Sequence, residues 1–180
     1  VHKIKEGRQD EIKPCIRCHN GCFNFAKYKG TPNLQNTMDS LHLGRCALNP
    51  TTMQHKRYYI APTKKAKRVA IIGGGIGGME CALVLFEKTN ELGGLFLTAS
   101  AMTFKENDKE LITWYKREIE KAGIEVHMNT EVNDLNTLRG FDDIIVATGS
   151  TPRMMPQIKG FEKTLTFTDV LKDKKEVGDK

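Results

Sequence analysis

A cluster of glycines after an apolar run restricts the fold of this chain more than any other feature. The segment RVAIIGGGIGGME (68–80) sets Gly73, Gly75 and Gly78 in a G-x-G-x-x-G pattern between a predicted strand and a predicted helix. There the first glycine permits a tight turn, the second lets the backbone approach a pyrophosphate, and the third lets the helix pack close to the strand. The pattern predicts the start of a dinucleotide-binding unit, with a purely structural glycine turn as the alternative.

The remaining pattern alternates between strands and helices. The run VAIIG (69–73) is apolar throughout, which is typical of a parallel strand buried on both faces. Helices are predicted over 79–84 and 108–123, and further strands over 124–128 and 143–148. This order predicts an α/β fold in which a Rossmann-like unit is built on a parallel sheet.

The helix predicted over 108–123 has the clearest periodicity. Its apolar residues share one stripe and a glycine follows as a stop signal: Leu111, Ile112, Tyr115, Ile119, Ala122 and Gly123. Trp114 and Tyr115 are predicted to pack against neighbouring side chains rather than to stack on a cofactor. Cys81, in the helix after the glycines, is expected to be a small buried apolar residue.

Two more segments favour nucleotide binding over a structural turn. Gly93 and Gly94 permit a second close approach of the backbone. The segment IIVATGSTP (144–152) is expected to bring a buried strand to a small-residue exit at Thr148 and Gly149. Ligands of open α/β sheets bind at the carboxyl ends of the strands. Three such segments in this order predict a nucleotide site.

The acid expected after such glycines comes early. Glu87 lies 14 residues after Gly73, whereas the usual interval is about 20. From the last glycine, Gly78, only residues 78–85 precede Phe86. A strand–helix–strand crossover needs about ten to twelve residues. We expect this stretch to be too short for a helix and a strand. We infer that about nine residues are absent near 84–85, and favour an omitted stretch over a natural deletion.

Four cysteines form a second chemical feature. The segment CIRCHNGC supplies three of them and the fourth follows after 23 residues: Cys15, Cys18, Cys22 and Cys46. Four thiolates can hold a tetrahedral zinc or a [4Fe–4S] cluster. Structural zinc usually shows two tight pairs, so this spacing favours the cluster, while zinc and unligated thiols stay open. His19 is expected to be solvated, or to lie beside the ligands without binding.

The composition argues against several classes of protein. The 180 residues suffice for one domain and a small appendage, and five cysteines crowded toward one end do not form a secreted framework, so we expect a cytoplasmic location. The net charge of +6 comes from scattered lysines, with 7% aromatics, so nucleic-acid binding is not expected. No apolar run approaches the ~20 residues of a membrane helix, so no membrane association is expected.

Taken together, the motifs resemble a known family. The segments KPCIRCHNGC, RCALNP, KKAKRVAIIGGGIGGME, FEKTNELGG and VATGSTP occur in this order in the iron–sulfur flavoenzymes related to 2,4-dienoyl-CoA reductase, trimethylamine dehydrogenase and 2-enoate reductase. These are the NADH:flavin oxidoreductases related to Old Yellow Enzyme, and they include bile-acid-converting members. The similarity covers nearly the whole chain. It implies an Fe–S module and part of an FAD domain, with FMN and the substrate on a separate (β/α)8 barrel.

The resemblance also implies roles for individual residues. The implied metal ligands are Cys15, Cys18, Cys22 and Cys46. The implied FAD-binding residues are Gly73, Gly75 and Gly78 at the pyrophosphate, Glu87 at the adenosine ribose with Lys88 beside it, and Gly93, Gly94, Thr148 and Gly149 on the flavin side. Electrons would pass from NAD(P)H through FAD and the cluster to FMN, where an activated C=C bond is reduced. The groups that protonate the small-molecule substrate are expected outside these residues, and a homo-oligomer is one expected assembly.

The same resemblance sets the expected domain limits. They are a four-cysteine module over 1–62, a basic linker over 63–68, an incomplete FAD-binding unit over 69–152, and a connection over 153–180 toward an NAD(P)H domain. We expect a central part of a larger polypeptide that alone holds FAD weakly. The long interval before the fourth cysteine predicts a looped insertion at or near QNTMDSLH. The alternatives are an amidotransferase-linked Fe–S/FAD reductase subunit and a non-enzymatic, zinc-stapled nucleotide-binding module.

Overall fold

The computed structural model describes most of the chain. It covers residues 2–22, 45–52, 54–56, 58–59 and 61–178. Two compact units divide it: the sheet unit, Val1–Pro14 with Lys67–Lys180, and the cysteine unit, Cys15–Ala66. The division falls between Ala66 and Lys67. Residues 1–14 differ from the expectation, because they join the sheet unit and not the cysteine module.

The sheet unit is built on four strands that pair only in parallel. The strands are β1 (Val69–Ile72), β2 (Val84–Phe86), β3 (Glu125–His127) and β4 (Asp143–Val146), in the spatial order β3-β2-β1-β4. The chain moves outward from β1 to β3 and then returns to the other side of β1. The direction of winding therefore changes between β1 and β4, which is where open α/β sheets bind ligands. The predicted Rossmann-like α/β class is confirmed.

Helices flank this sheet in the described residues. They are α1 (His2–Lys5), α2 (Ile76–Cys81), α3 (Leu95–Ala99), α4 (Glu106–Lys121) and α5 (Phe167–Leu171), with 3-10 turns at Gln9–Glu11, Leu135–Leu138 and Phe161–Lys163. The predicted stripe of α4 is buried at Leu111, Ile112, Tyr115 and Ile119. Ala122 is exposed because the helix already ends there, before Gly123 at a φ of +63°. None of the described helices has the length and apolar character needed to cross a membrane.

The core lies around β1, as its uninterrupted apolar run predicts. All four residues of β1 are buried. Ile71 and the residue paired with it on β2, Leu85, are both completely buried. On the opposite face Ala70 and Ile72 pack with Leu138 of the loop before β4. Each fully buried aliphatic side chain contributes about 1.5–3 kcal/mol of hydrophobic stabilisation. Burial on both faces makes β1 the fixed element from which the ligand-side turn projects.

β4 departs from the prediction of a buried strand. All of its residues are exposed, and Val146 keeps 66% of its accessible surface. The strand lies at the edge of the sheet, paired on one side with β1, and the described residues cover its faces only in part. Apolar composition predicted the strand correctly, but it carries no information on whether another element covers it.

The crossover from β1 to β2 also corrects the prediction. The chain forms both a helix and a strand between Gly73 and Glu87, so the expectation that this stretch is too short was wrong. α2 begins at Ile76, inside the glycine segment and ahead of the predicted start at 79, so the eleven residues 73–83 all serve as the connection. That length meets the minimum of about ten to twelve residues. A parallel β1–β2 pair therefore needs no additional residues.

Cys81 is exposed, contrary to the expectation of a buried apolar residue. It is the last residue of the short helix α2, in which the buried residues are Gly78 and Met79. The buried part of α2 therefore does not include its last residue.

Lys13 is one of the residues that attach the N-terminal segment 1–14 to the rest of the sheet unit. Its Nζ lies 2.7 Å from Oε2 of Glu80 on α2, and the Tyr115 hydroxyl of α4 donates to the same oxygen at 2.5 Å. Lys13 also lies over the rings of Trp114 and Tyr115, 5.0 and 5.1 Å from their centroids. Burial raises the pKa of Glu80, but the hydrogen bonds from Lys13 and Tyr115 outweigh it and hold that pKa below its usual value. The cluster joins three separate segments.

Removing the Tyr115 hydroxyl tests this cluster. We expect Tyr115→Phe to lower the free energy of unfolding by about 1 kcal/mol, because the Glu80 carboxylate loses a hydrogen bond. Urea denaturation measures the change. Tyr59→Phe is the matched control, because that side chain is 75% exposed and its substitution should leave stability unaltered. Equal stability of the two variants would contradict the role given to the cluster.

Candidate dinucleotide-binding site and cysteine ligands

The turn after β1 is packed so closely that two of its glycines exclude a side chain. Gly73 has a φ of +109°, and a Cβ there would lie 2.4 Å from the carbonyl oxygen of Ala147. A Cβ on Gly78 would lie 1.9 Å from the carbonyl oxygen of Gly73. A side-chain Cβ essentially never lies within 3.0 Å of a backbone oxygen to which it is not bonded. β1, α2 and the end of β4 therefore come together only because both positions are glycine.

Glycine has a different role at position 75. Its φ of −71° is open to any residue, and a Cβ there would meet no atom within 4 Å. The missing side chain serves no internal packing and leaves the backbone approachable from outside. This is the property that close contact with a pyrophosphate requires.

The second glycine segment lies directly against the first. The Gly93 N–H donates to the carbonyl oxygen of Gly74 at 2.8 Å, and Gly75 and Gly93 form an isolated parallel bridge. Gly94 has a φ of +54°, and a Cβ there would lie 3.2 Å from the Cα of Gly75. The two segments, separate in sequence, form one continuous backbone surface beside the end of β1.

Glu87, directly after β2, has a buried carboxylate that accepts three hydrogen bonds. The residue is 6% exposed. Its Oε2 accepts the Gly74 N–H at 2.7 Å, and its Oε1 accepts both the N–H and the hydroxyl of Thr89 at 2.8 Å. Three donors offset the cost of burying a charge. The carboxylate thereby ties the glycine turn to the end of β2, while the next residue, Lys88, is exposed.

The exit of β4 reaches the same edge of the sheet. The Ala147 N–H donates to the carbonyl oxygen of Ile72 at 2.8 Å, which holds this exit beside the end of β1. Thr148 and Gly149 follow, both exposed, and Gly149 has a φ of +72°. The three predicted segments therefore meet at the carboxyl ends of β1, β2 and β4. Open α/β sheets bind ligands in this position.

The four predicted metal ligands all lie in the cysteine unit. The thiols of Cys15, Cys18 and Cys22 are exposed, and the thiol of Cys46 is half-buried. Arg17 and His19 in the loop between them have a φ of +53°, in the left-handed region that non-glycine residues adopt uncommonly. Within the described part of the chain, the side chains of His, Cys, Asp and Glu do not converge in threes as they would around a metal ion.

A backbone contact joins the remote cysteine segment to the others. The Arg45 N–H donates to the carbonyl oxygen of Gly21 at 3.1 Å. A Cβ on Gly21 would lie 2.6 Å from the Arg45 carbonyl oxygen and 3.0 Å from the Cys46 nitrogen. The segment that carries Cys46 therefore passes against the residue that precedes Cys22. The predicted looped insertion falls in 23–44, outside the described residues.

Sequence reasoning missed two residues of these sites, Thr89 and Gly21. Thr89 supplies two of the three donors to Glu87, and Gly21 permits the approach of the Arg45 segment. Signals for both are present in the sequence. A hydroxyl residue stands two positions after the acid at the end of the strand, and a glycine directly precedes the third cysteine.

Comparison with known proteins finds similar oxidoreductases. Residues 44–140, more than half of the chain, match the family model described as pyridine nucleotide-disulphide oxidoreductase. Cinnamate reductase from Clostridium sporogenes is 33% identical over 189 residues, covering 99% of this chain and 26% of the relative. NADH oxidase from Thermoanaerobacter brockii is 38% identical over 179 residues, covering 92% of this chain and 25% of the relative.

A solved structure extends the likeness to the fold. The 2-naphthoyl-CoA reductase in complex with 2-naphthoyl-CoA is 28% identical, with a TM-score of 0.83 over 99% of this chain and 27% of that chain. The chain thus spans about a quarter of the length of these relatives. The predicted relation to the 2-enoate reductase group of Fe–S flavoenzymes is confirmed by these oxidoreductases. By its glycine turn, its sheet and the match over 44–140, the chain belongs to the pyridine nucleotide-disulphide oxidoreductase family.

Proposed function

We propose that this chain is the electron-relay part of an NAD(P)H-dependent flavin oxidoreductase. In this proposal the sheet unit holds FAD and the cysteine unit holds a [4Fe–4S] cluster. The enzyme passes electrons onward to an FMN site that reduces an activated C=C bond. The observation that carries the proposal is the meeting of an approachable Gly75 backbone with a buried Glu87 carboxylate at the ends of parallel strands.

The residues of the sheet unit fit the adenosine half of a dinucleotide. Gly75 leaves room for a pyrophosphate, and Glu87 offers a carboxylate to a ribose hydroxyl at the end of the second strand. A fixed negative charge there favours a free ribose over a 2′-phosphate. This fits FAD and disfavours NADP at this turn, and the family match supports FAD.

The residues of the cysteine unit fit an iron–sulfur cluster by their chemistry. Four thiols are the donor set of a [4Fe–4S] cluster, and the contact between Gly21 and Arg45 supports Cys46 as the fourth ligand. When bound, such a cluster supplies one-electron transfer. The part played by the chain is to bind and orient the cofactors, and we assign it no catalytic residue.

The names of the relatives support the reaction class. Cinnamate reductase and 2-naphthoyl-CoA reductase are reductases of unsaturated acids or their CoA esters, and NADH oxidase is named for its nicotinamide donor. A small-molecule substrate with an activated C=C bond is therefore proposed for the whole enzyme. NADH is the donor that these names favour.

A pair of glycine substitutions tests the FAD site. In the intact gene product we expect Gly75→Ala to weaken FAD binding at least about tenfold, because the new Cβ occupies the space left for the pyrophosphate. Gly77→Ala is the control, since its Cβ also meets no atom within 4 Å but projects from an exposed position of α2. Isothermal titration of the flavin-free proteins gives both affinities, and their melting temperatures should match. Equal FAD affinities would reject the site.

Metal analysis tests the cluster. Anaerobically purified intact protein should contain about four iron and four acid-labile sulfide per chain. Cys46→Ser should lower both contents sharply, because the cluster loses a ligand. Cys81→Ser, an equally conservative change at an exposed thiol of the sheet unit, should leave them unchanged. Stoichiometric zinc without iron would instead support the zinc-stapled alternative and remove the electron-relay function.

Gly21→Ala tests whether the backbone contact positions the fourth ligand. The added Cβ would collide with the Arg45 carbonyl and push the Cys46 segment away, so the iron content should fall toward that of Cys46→Ser. Gly178→Ala places its Cβ in open space and serves as the control. Full iron content with an unaltered visible spectrum in Gly21→Ala would show that this contact has no part in ligation.

A further inference from the structure

We infer that Thr89 is a positioning residue for nucleotide binding, which aims one oxygen of Glu87 at the ribose. The inference rests on the proposed FAD site. Its basis is the set of three hydrogen bonds that fill most of the acceptor positions of this buried carboxylate.

The division of donors between the two oxygens is unequal. A carboxylate has about four acceptor positions, two on each oxygen. Thr89 fills both positions of Oε1 with its N–H and its hydroxyl, whereas the Gly74 N–H fills one position of Oε2. One acceptor position therefore remains, and it lies on Oε2.

The remaining position is on the side of the glycine turn. A Cβ on Gly74 would lie 2.9 Å from Oε2 of Glu87, whereas Oε1 faces the following turn at Thr89. A ribose joined to a pyrophosphate on the Gly75 backbone would approach from the side of Oε2. Glu87 then accepts a single ribose hydroxyl, through the oxygen that Thr89 leaves open.

The Thr89 hydroxyl is the donor that depends on residue type. Any residue except proline supplies a backbone N–H at positions 74 and 89, but the third bond requires a side chain that donates a hydrogen bond, here the Thr89 hydroxyl. Thr89 is itself fixed, because its carbonyl oxygen accepts the Asn129 N–H at 2.9 Å and its hydroxyl oxygen accepts the Glu91 N–H at 3.4 Å. A rigid donor of this kind holds the carboxylate of Glu87 in one orientation.

The test uses Thr89→Val, which keeps the shape of the side chain and removes the hydroxyl. Flavin-free intact protein is titrated with FAD, ADP, 2′-deoxy-ADP and 3′-deoxy-ADP. In the wild-type protein one deoxy form should bind about tenfold more weakly than ADP, and the other within about twofold. In Thr89→Val the affinities for FAD and ADP should fall about tenfold, and the difference between ADP and the sensitive deoxy form should disappear.

Controls separate this role from general damage. Thr89→Ser retains the hydroxyl and should restore the wild-type pattern, and Thr164→Val removes a hydroxyl that donates to the Phe161 carbonyl oxygen in another part of the sheet unit. A uniform loss for all four ligands in Thr89→Val would indicate a structural role and overturn the inference. Unchanged affinities in Thr89→Val would overturn it as well. If the wild-type protein binds neither FAD nor ADP, the proposed function itself fails.

Discussion

The close approach of backbone segments at the ends of the strands is the constraint on which the rest of this structure depends. Gly73 faces the Ala147 carbonyl, Gly78 faces the Gly73 carbonyl, and Gly94 faces Gly75, each at a distance that excludes or restricts a side chain. These contacts fix the exit of β4, the start of α2 and the second glycine segment together. One turn therefore determines both the order of the strands and the surface presented to a ligand.

The carboxylate of Glu87 extends the same constraint across the sheet. It bonds to the Gly74 N–H in the turn and to Thr89 beyond β2, while the Asn129 and Thr130 N–H groups after β3 donate to the carbonyl oxygens of Thr89 and Glu87. The ends of β1, β2 and β3 are thus linked by hydrogen bonds around one buried charge. Backbone and side-chain donors of the fold itself satisfy this charge. The network therefore requires the acid at position 87 whatever the length of the interval between the glycines and Glu87.

Local sequence patterns predicted the features of the fold that depend on residues close together in the sequence. The glycines at 73–78, the stripe of α4 and the apolar run of β1 identified the parallel Rossmann-like class, because turn sterics and helical periodicity act over short distances. The exposure of Val146 and Cys81 depends on which elements lie nearby in space, which local patterns do not carry. The crossover was misjudged by counting, since the prediction began the helix at 79 and left the glycines out of the connection.

The short crossover explains why a charged cluster lies at the far end of α2. A helix of six residues has little stability of its own, because isolated helices shorter than about 12–15 residues are marginal in water. Its N-terminal end is held by the glycine turn, through Gly78 and Met79 in the buried interior. Its C-terminal end is held by Glu80, which binds Lys13 and Tyr115 from two other segments. The contacts at both ends hold this short helix in place, and one of them comes from the N-terminal segment.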